Sequence, residues 1–482
     1  MDTGQFISPV GIDGLDEILK GGIPRGNAIL VTGNPGTGKT TLCVQFIYAG
    51  AVKFKEPGIM VTFEESPARL IRDAHSFGWD IAAQERGNML RIVQTSPDTF
   101  IRLMQDYQSP LHQEIRNIGA RRIAVDSITL FKYQKELEIF REQIYSFINM
   151  LRNQQALVML TAEESPQIQS EGYIADTLIS LGIRKRLSAR WRTIEVIKSR
   201  GQDFLTGTHT LEITGSGLRV YPRATTVRTP ASTRKDKRPP VHFGVEGLDG
   251  ILGSGIHPGS VVLLMGSAGI GKTTLALKFL VEGARLGEKS IYCCFEQTAE
   301  SLIRQGASLG LPIDRYVDEG LVRVIEIDPV ELNLNTHFHQ LRELFMENGY
   351  SRIVFDSMHA YNSALTEDSI EIREFIFKLM AYTRSQGVTS LLINEMPHLS
   401  PATLGTEHAI SFIADVVLLL RYVEINAVMR RGLLVMKSRC GPHARDLREF
   451  TIDASGITVF DEPLPVTPRD FATYQKLVAT GG

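Results

Sequence analysis

Two stretches of this chain have the residue types and spacing of a phosphate-binding loop: GNPGTGKTT at 33–41 and GSAGIGKTT at 266–274. In the pattern GxxxxGK[ST], glycines let consecutive backbone N–H groups turn inward, where side chains would obstruct a phosphate. The candidates are Gly36, Thr37, Gly38, Lys39, Thr40 and Thr41 in the first copy. In the second they are Gly269, Ile270, Gly271, Lys272, Thr273 and Thr274. Lys39 and Lys272 are expected to reach the β- and γ-phosphates of ATP, and the Thr40 and Thr273 hydroxyls to serve Mg²⁺. A helix starting at each lysine adds the positive end of its dipole. Such a site also needs an acid at the end of a neighbouring strand, and Asp126 in IAVDS and Asp356 in IVFDS fit that role.

A further acidic pair, Glu64-Glu65, follows the apolar run IMVTF. A carboxylate beside a γ-phosphate can orient and deprotonate a water or a protein hydroxyl. The matching pair in the second half is Glu296-Gln297. Gln keeps the shape but cannot act as a base, so the two sites are not electrostatically equivalent. Lys198 and Arg200 stand two apart on an expected strand, and Lys437 and Arg439 repeat them. An arginine given to a γ-phosphate, in cis or from a neighbour, stabilises developing charge.

These landmarks recur in one order because the chain is written twice. GIDGLDEILKGGIPRGNAILVTG aligns without a gap to GVEGLDGILGSGIHPGSVVLLMG, RRIAVDS to SRIVFDS, and KSR at 198–200 to KSR at 437–439. Residues 222–240, PRATTVRTPASTRKDKRPP, are poor in large apolar side chains and read as a linker. The expected layout is a first domain at 1–221, a second at 241–462 and a tail at 463–482. Within each half strands alternate with helices, which implies an α/β fold: a mostly parallel sheet with helices on both faces. The last short strands add antiparallel pairs at one edge. SPARLIRDAHSFG reads as a helix with a serine cap and proline in its first turn.

With 52 basic and 54 acidic side chains the net charge is −2, which gives no global positive field for nucleic acid. The start MDTGQFISPVGIDGL lacks signal-peptide character, and apolar runs such as VVLLL are too short to span a bilayer. The expectation is a cytoplasmic protein with no membrane partner. The four cysteines lack metal-finger spacing and read as buried, reduced thiols, with Cys293 and Cys294 facing opposite sides of a strand. His337/His339 and His398/His408 have no supporting ligand set and read as surface histidines.

GLDEILKGGIPRG with GNPGTGKTT, VTFEESP with HSFGWD, RTIEVIKSRG, and LLLRYVEI with VMKSR together resemble the KaiC family, double-ring ATPases of the RecA superfamily. The resemblance spans about Gly11 to Asp461 and implies two tandem RecA-like P-loop NTPase domains. It also implies a homohexamer of two stacked rings with ATP between neighbouring subunits, and KaiA-like and KaiB-like or other signalling partners. By the same resemblance Ser76 lies near the first nucleotide, and Glu64 and Glu65 are the acids of slow hydrolysis. Lys198 and Arg200, and Lys437 and Arg439, reach into the adjacent subunit's site. Glu296 is the general base of a second ring that phosphorylates and dephosphorylates a Ser-Thr pair. Here Ser411 occupies the serine position, Phe412 replaces the threonine, and Thr406 keeps a further hydroxyl nearby. The resemblance thus implies slow ATP hydrolysis in the first ring and serine autophosphorylation in the second. The competing readings are a nucleotide-dependent protein-binding scaffold without kinase activity, and a recombinase-like nucleic-acid motor.

Overall fold

The computed structural model describes residues 7–133, 137–164, 175–186, 189–224, 238–253, 255–363, 369–395, 412–425, 428–454 and 456–465. Most of the linker, the tail from 466, and both Ser411 and Thr406 lie outside these residues. The chain divides into two compact units, Met1–Arg223 and Ala224–Gly482.

In the first unit a short antiparallel pair, β1 (Ile7–Ser8) with β2 (Ile23–Pro24), precedes a nine-stranded sheet. The sheet strands are β3 (Ala28–Gly33), β4 (Gly58–Thr62), β5 (Leu90–Gln94), β6 (Arg122–Asp126), β7 (Leu157–Ala162), β8 (Thr177–Arg186), β9 (Ala189–Ser199), β10 (Thr208–Thr214) and β11 (Gly217–Tyr221). In space they run β5-β4-β6-β7-β3-β8-β9-β10-β11. The six from β5 to β8 are parallel, and β9 to β11 close the edge antiparallel.

The second unit repeats this plan with β12 (Val261–Gly266), β13 (Ser290–Cys294), β14 (Val322–Glu326), β15 (Arg352–Asp356), β16 (Thr389–Glu395), β17 (Val416–Ile425), β18 (Val428–Ser438), β19 (Arg448–Asp453) and β20 (Gly456–Pro463). Their order, β14-β13-β15-β16-β12-β17-β18-β19-β20, matches the first sheet strand for strand.

The central strands are mainly apolar because both of their faces are covered. Ile29, Val31, Met60, Ala124 and Met159 pack into one core, and their strand neighbours Leu30, Ile59, Val61, Val125 and Leu160 pack into the other. This is the period-two alternation of a strand buried from both sides. Cys293 and Cys294 divide in the same way between the two cores of the second unit, and all four thiols are buried and unpaired with one another.

A fully buried arginine anchors each sheet. Arg122 pairs with Glu56 at 2.8 Å and donates to the carbonyls of Pro9, Val10 and Phe46. Arg352 does the same with Glu288 at 2.6 Å and with His242 and Phe279. Removing one partner of such a pair costs about 3–5 kcal/mol, because the other charge is left buried.

His337 corrects the surface reading. It is 4% exposed, with its Nε2 2.9 Å from the Tyr361 hydroxyl. Burial lowers its pKa to about 4. The unfolded chain, with an ordinary imidazole near 6.5, therefore binds the extra proton first as pH falls. Its contribution is fully present above about pH 6.5 and is lost as pH drops toward 4, a span worth about 3 kcal/mol. Urea unfolding of the second domain across this window is expected to show that slope, and His337→Gln to flatten it.

Candidate nucleotide sites

Each phosphate loop leaves the central strand of its sheet, β3 or β12, and turns directly into a helix, Lys39–Ala49 or Lys272–Arg285. The turn needs glycine at Gly38 and Gly271, whose φ values of 103° and 119° disfavour any other residue. A Cβ on Gly271 would also lie 2.4 Å from Ile452 Cδ1. By contrast, Gly36 and Gly269 face open space, with nothing within 4 Å of a Cβ. That space is where a phosphate can approach the backbone.

Thr37 and Ile270 are fully buried beneath their loops, where their N–H groups donate to Asn34 O at 3.3 Å and Ser267 O at 3.4 Å. Lys39 Nζ donates to Gly33 O at 2.7 Å and Asn34 O at 3.2 Å. Lys272 Nζ donates to Gly266 O and Ser267 O, both at 2.8 Å. Burial pushes both ammonium groups below their ordinary pKa, and nearby carboxylates oppose the shift.

Two strands away, the acids meet the loops. Thr40 Oγ1 donates to Asp126 Oδ2 at 2.6 Å, and Thr273 Oγ1 to Asp356 Oδ2 at 3.0 Å. The remaining donor differs. Asp126 Oδ1 accepts from Thr161 on β7, whereas Asp356 Oδ2 accepts from the Tyr292 phenol on β13. Burial raises the Asp356 pKa, and the hydrogen bonds from Tyr292 and Thr273 offset part of that. Burial, then the Asp356 charge, holds the Tyr292 phenol far above its ordinary range, so it remains a donor.

Hydroxyl and carboxylate oxygens beside an open phosphate cradle suit magnesium, which binds through one or two protein oxygens and completes its shell with phosphate and water. Among the described residues no group of three His, Cys, Asp or Glu forms a metal site of its own.

The acidic corner follows β4 and β13. Glu64 is exposed, and Glu65 lies 3.9 Å from Arg69 in the helix Pro67–His75, which Ser66 caps. Glu296 accepts from Ser357 Oγ at 3.1 Å, next to Asp356. The Glu-to-Gln change leaves the corner's backbone tie in place: Thr62 donates to Glu65 O and Cys294 to Gln297 O.

The chain matches the family described as ATPase: KaiC twice, over residues 8–225 and 241–463. This protein belongs to the KaiC ATPase family. It is 31% identical to the circadian clock oscillator protein KaiC of Picosynechococcus sp., over 97% of this chain and 90% of that protein. The KaiC of Parathermosynechococcus lividus is 30% identical over 97% of this chain and 86% of its own length, and KaiC 1 of Synechocystis sp. 30% identical over 97% and 90%. Nucleotide binding follows from the KaiC ATPase family, as does the pair of tandem RecA-like domains.

The basic pairs of this KaiC-family chain do not sit beside their own loops. Gly33, where the first loop begins, is aligned across β8 with Ile194 in the middle of β9. Lys198 and Ser199 lie at the C-terminal end of β9, opposite Leu178 and Thr177, and Thr177 pairs with Ile29. From Ile29 to Gly33 is about 13 Å along the strand, farther than a lysine side chain extends. Lys198 instead donates to Ala175 O at 2.8 Å, and Lys437 repeats this with Ala414 O at 2.8 Å. Arg200 and Arg439 lie just past their strands and are exposed, so each basic pair straddles a strand end rather than sharing one strand face.

Sequence reasoning missed Glu163 and Glu395. Glu163 directly follows β7 and Glu395 ends β16, the strands beside the phosphate-loop strands, and their charges act on Lys39 and Lys272. Glu395 is the strongest of the carboxylates acting on Lys272. The signal was available, since they stand at the same offset that relates Glu64 to Glu296. Ser76 is exposed at the C-terminal end of its helix, with its hydroxyl on Asp73 O at 2.6 Å. A cavity of about 420 Å³ lined by Tyr48, Lys53, Trp79 and Arg219 opens at the far half of the first loop's helix. None of the candidate site residues lines it. No helix among the described residues is long and apolar enough to cross a membrane.

Proposed function

We propose that this protein is an ATP-hydrolysing signalling protein that works as a KaiC-type homohexamer, with Mg²⁺–ATP held between neighbouring subunits in each of two rings. The observation that carries this reading is the placement of Lys198–Arg200 and Lys437–Arg439 at the sheet end opposite their own phosphate loops, in both domains. Cations so placed cannot serve the γ-phosphate of their own subunit, but on a ring they can serve the next one.

Thr40 with Asp126, and Thr273 with Asp356, would hold the magnesium, whose charge would offset that of the phosphates. Lys39 and Lys272 bind the β- and γ-phosphates. Glu64, assisted by Glu65, orients and deprotonates the attacking water in the first domain. In the second domain Glu296, oriented by Ser357, takes the proton from the Ser411 hydroxyl as that oxygen bonds to the γ-phosphorus and ADP leaves. Phe412 is 73% exposed where the resemblance expects a second acceptor, so the chain carries one main phosphate rather than two. The circadian role named for its relatives extends to this chain as regulation by KaiA-like and KaiB-like partners.

Intact-mass analysis of protein incubated with ATP for hours tests the kinase half. One added phosphate is expected, mapped to Ser411 and lost in Glu296→Gln. Undiminished phosphate in that variant removes Glu296 as the base. ATP turnover with no added mass leaves an ATPase that is not a kinase.

A further inference from the structure

The two domains hold the same strand-end aspartate from opposite sides. In the first, the second donor is Thr161 on β7, the strand between β6 and the phosphate-loop strand. The corresponding residue in the second domain is Ile393 on β16: Thr161 pairs with Val31 as Ile393 pairs with Leu264. Isoleucine cannot donate. The donor comes instead from Tyr292 on β13, on the other flank, where the first domain has Met60. Tyr292 pairs with Val354 as Met60 pairs with Ala124.

We propose that Tyr292 is a positioning residue for the second nucleotide site, holding the Asp356 carboxylate from β13 so that metal retention there depends on a phenol hydroxyl that the first site lacks. This rests on reading the two loops as magnesium–nucleotide sites. A carboxylate tied by one hydroxyl can still turn about its terminal torsion, and a second donor from a rigid strand stops that rotation. Tyr292 is itself fully buried in the core that covers one face of its sheet. A phenol buried there without a partner would be costly, and its hydroxyl reaches Asp356. The exchange is reciprocal: where the donor leaves one flank it appears on the other, and the carboxylate keeps two hydroxyl partners in each domain.

The test uses the full chain with a non-hydrolysable ATP analogue, titrated with Mn²⁺, with free Mn²⁺ read by electron paramagnetic resonance. Lys39→Ala leaves the second site to titrate alone. Tyr292→Phe is expected to raise the Mn²⁺ Kd there by about tenfold, and Ile393→Thr added to it to bring the Kd back within about threefold of the parent. A core tyrosine with a purely packing role would gain nothing from a threonine on the opposite strand. In a Lys272→Ala background, Thr161→Val is expected to weaken the first site by a similar factor, and this arm decides the matter if Tyr292→Phe does not fold. An unchanged Kd in Tyr292→Phe, or no recovery with Ile393→Thr while the analogue stays bound, overturns the proposal and leaves the nucleotide-site reading standing. A parent protein that takes up no Mn²⁺ with the analogue overturns that reading and this proposal together.

Discussion

Lys39→Ala is expected to lower steady-state ATP hydrolysis by about 10²–10³, the usual cost of removing one preorganised donor from a developing phosphate charge. Lys39 is a half-buried ammonium already turned onto its loop, so it reaches a phosphate with little reorganisation. Glu64→Gln is expected to have a similar effect, because the amide keeps the shape and loses the base. Lys272→Ala is expected to leave most hydrolysis intact and to abolish phosphate gain on the chain. Phosphate release and intact mass, measured on the same four proteins, separate these outcomes. If Lys272→Ala removes hydrolysis and Lys39→Ala spares it, the division of labour is reversed.

The second large effect concerns the distant cations. Arg200→Ala is expected to reduce hydrolysis by about 10³ or more, the range seen when an arginine is withdrawn from a transferring phosphoryl group. Subunit mixing supplies the decisive measurement. Arg200→Ala subunits keep an intact phosphate loop, and Lys39→Ala subunits keep an intact arginine. If sites form between neighbours on a ring, equal mixing restores about one site in four. Activity no higher than the average of the two parents would mean that each chain completes its own site, against the strand register. Dilution provides a second readout, since a shared site loses turnover as the assembly dissociates.

Much of this protein was legible before any coordinates. The duplication, both phosphate loops, Asp126 and Asp356, and the capped helix after the acidic corner are local patterns, and the observed elements begin and end where those patterns do. A strand of uninterrupted apolar residues, a glycine that must take positive φ and a lysine opening a helix are each dictated by neighbours in the chain. The lone Gln297 likewise announced that the two sites differ.

What sequence could not supply depends on which strands lie side by side and in what register. Lys198 and Arg200 read as site cations, yet the antiparallel return of β9 along β8 carries them to the far end of the sheet. Tyr292 and Asp356 are distant in the chain and meet only because β13 and β15 are adjacent. His337 reads as an ordinary polar residue until the packing around Tyr361 strips it of water. The sequence by itself determined the two phosphate-loop turns and the strand–helix order around them, because these are written in contiguous residues. Only the tertiary structure decided which side chains reach one another, because strand order and register are set by long-range pairing that no local run of residues encodes.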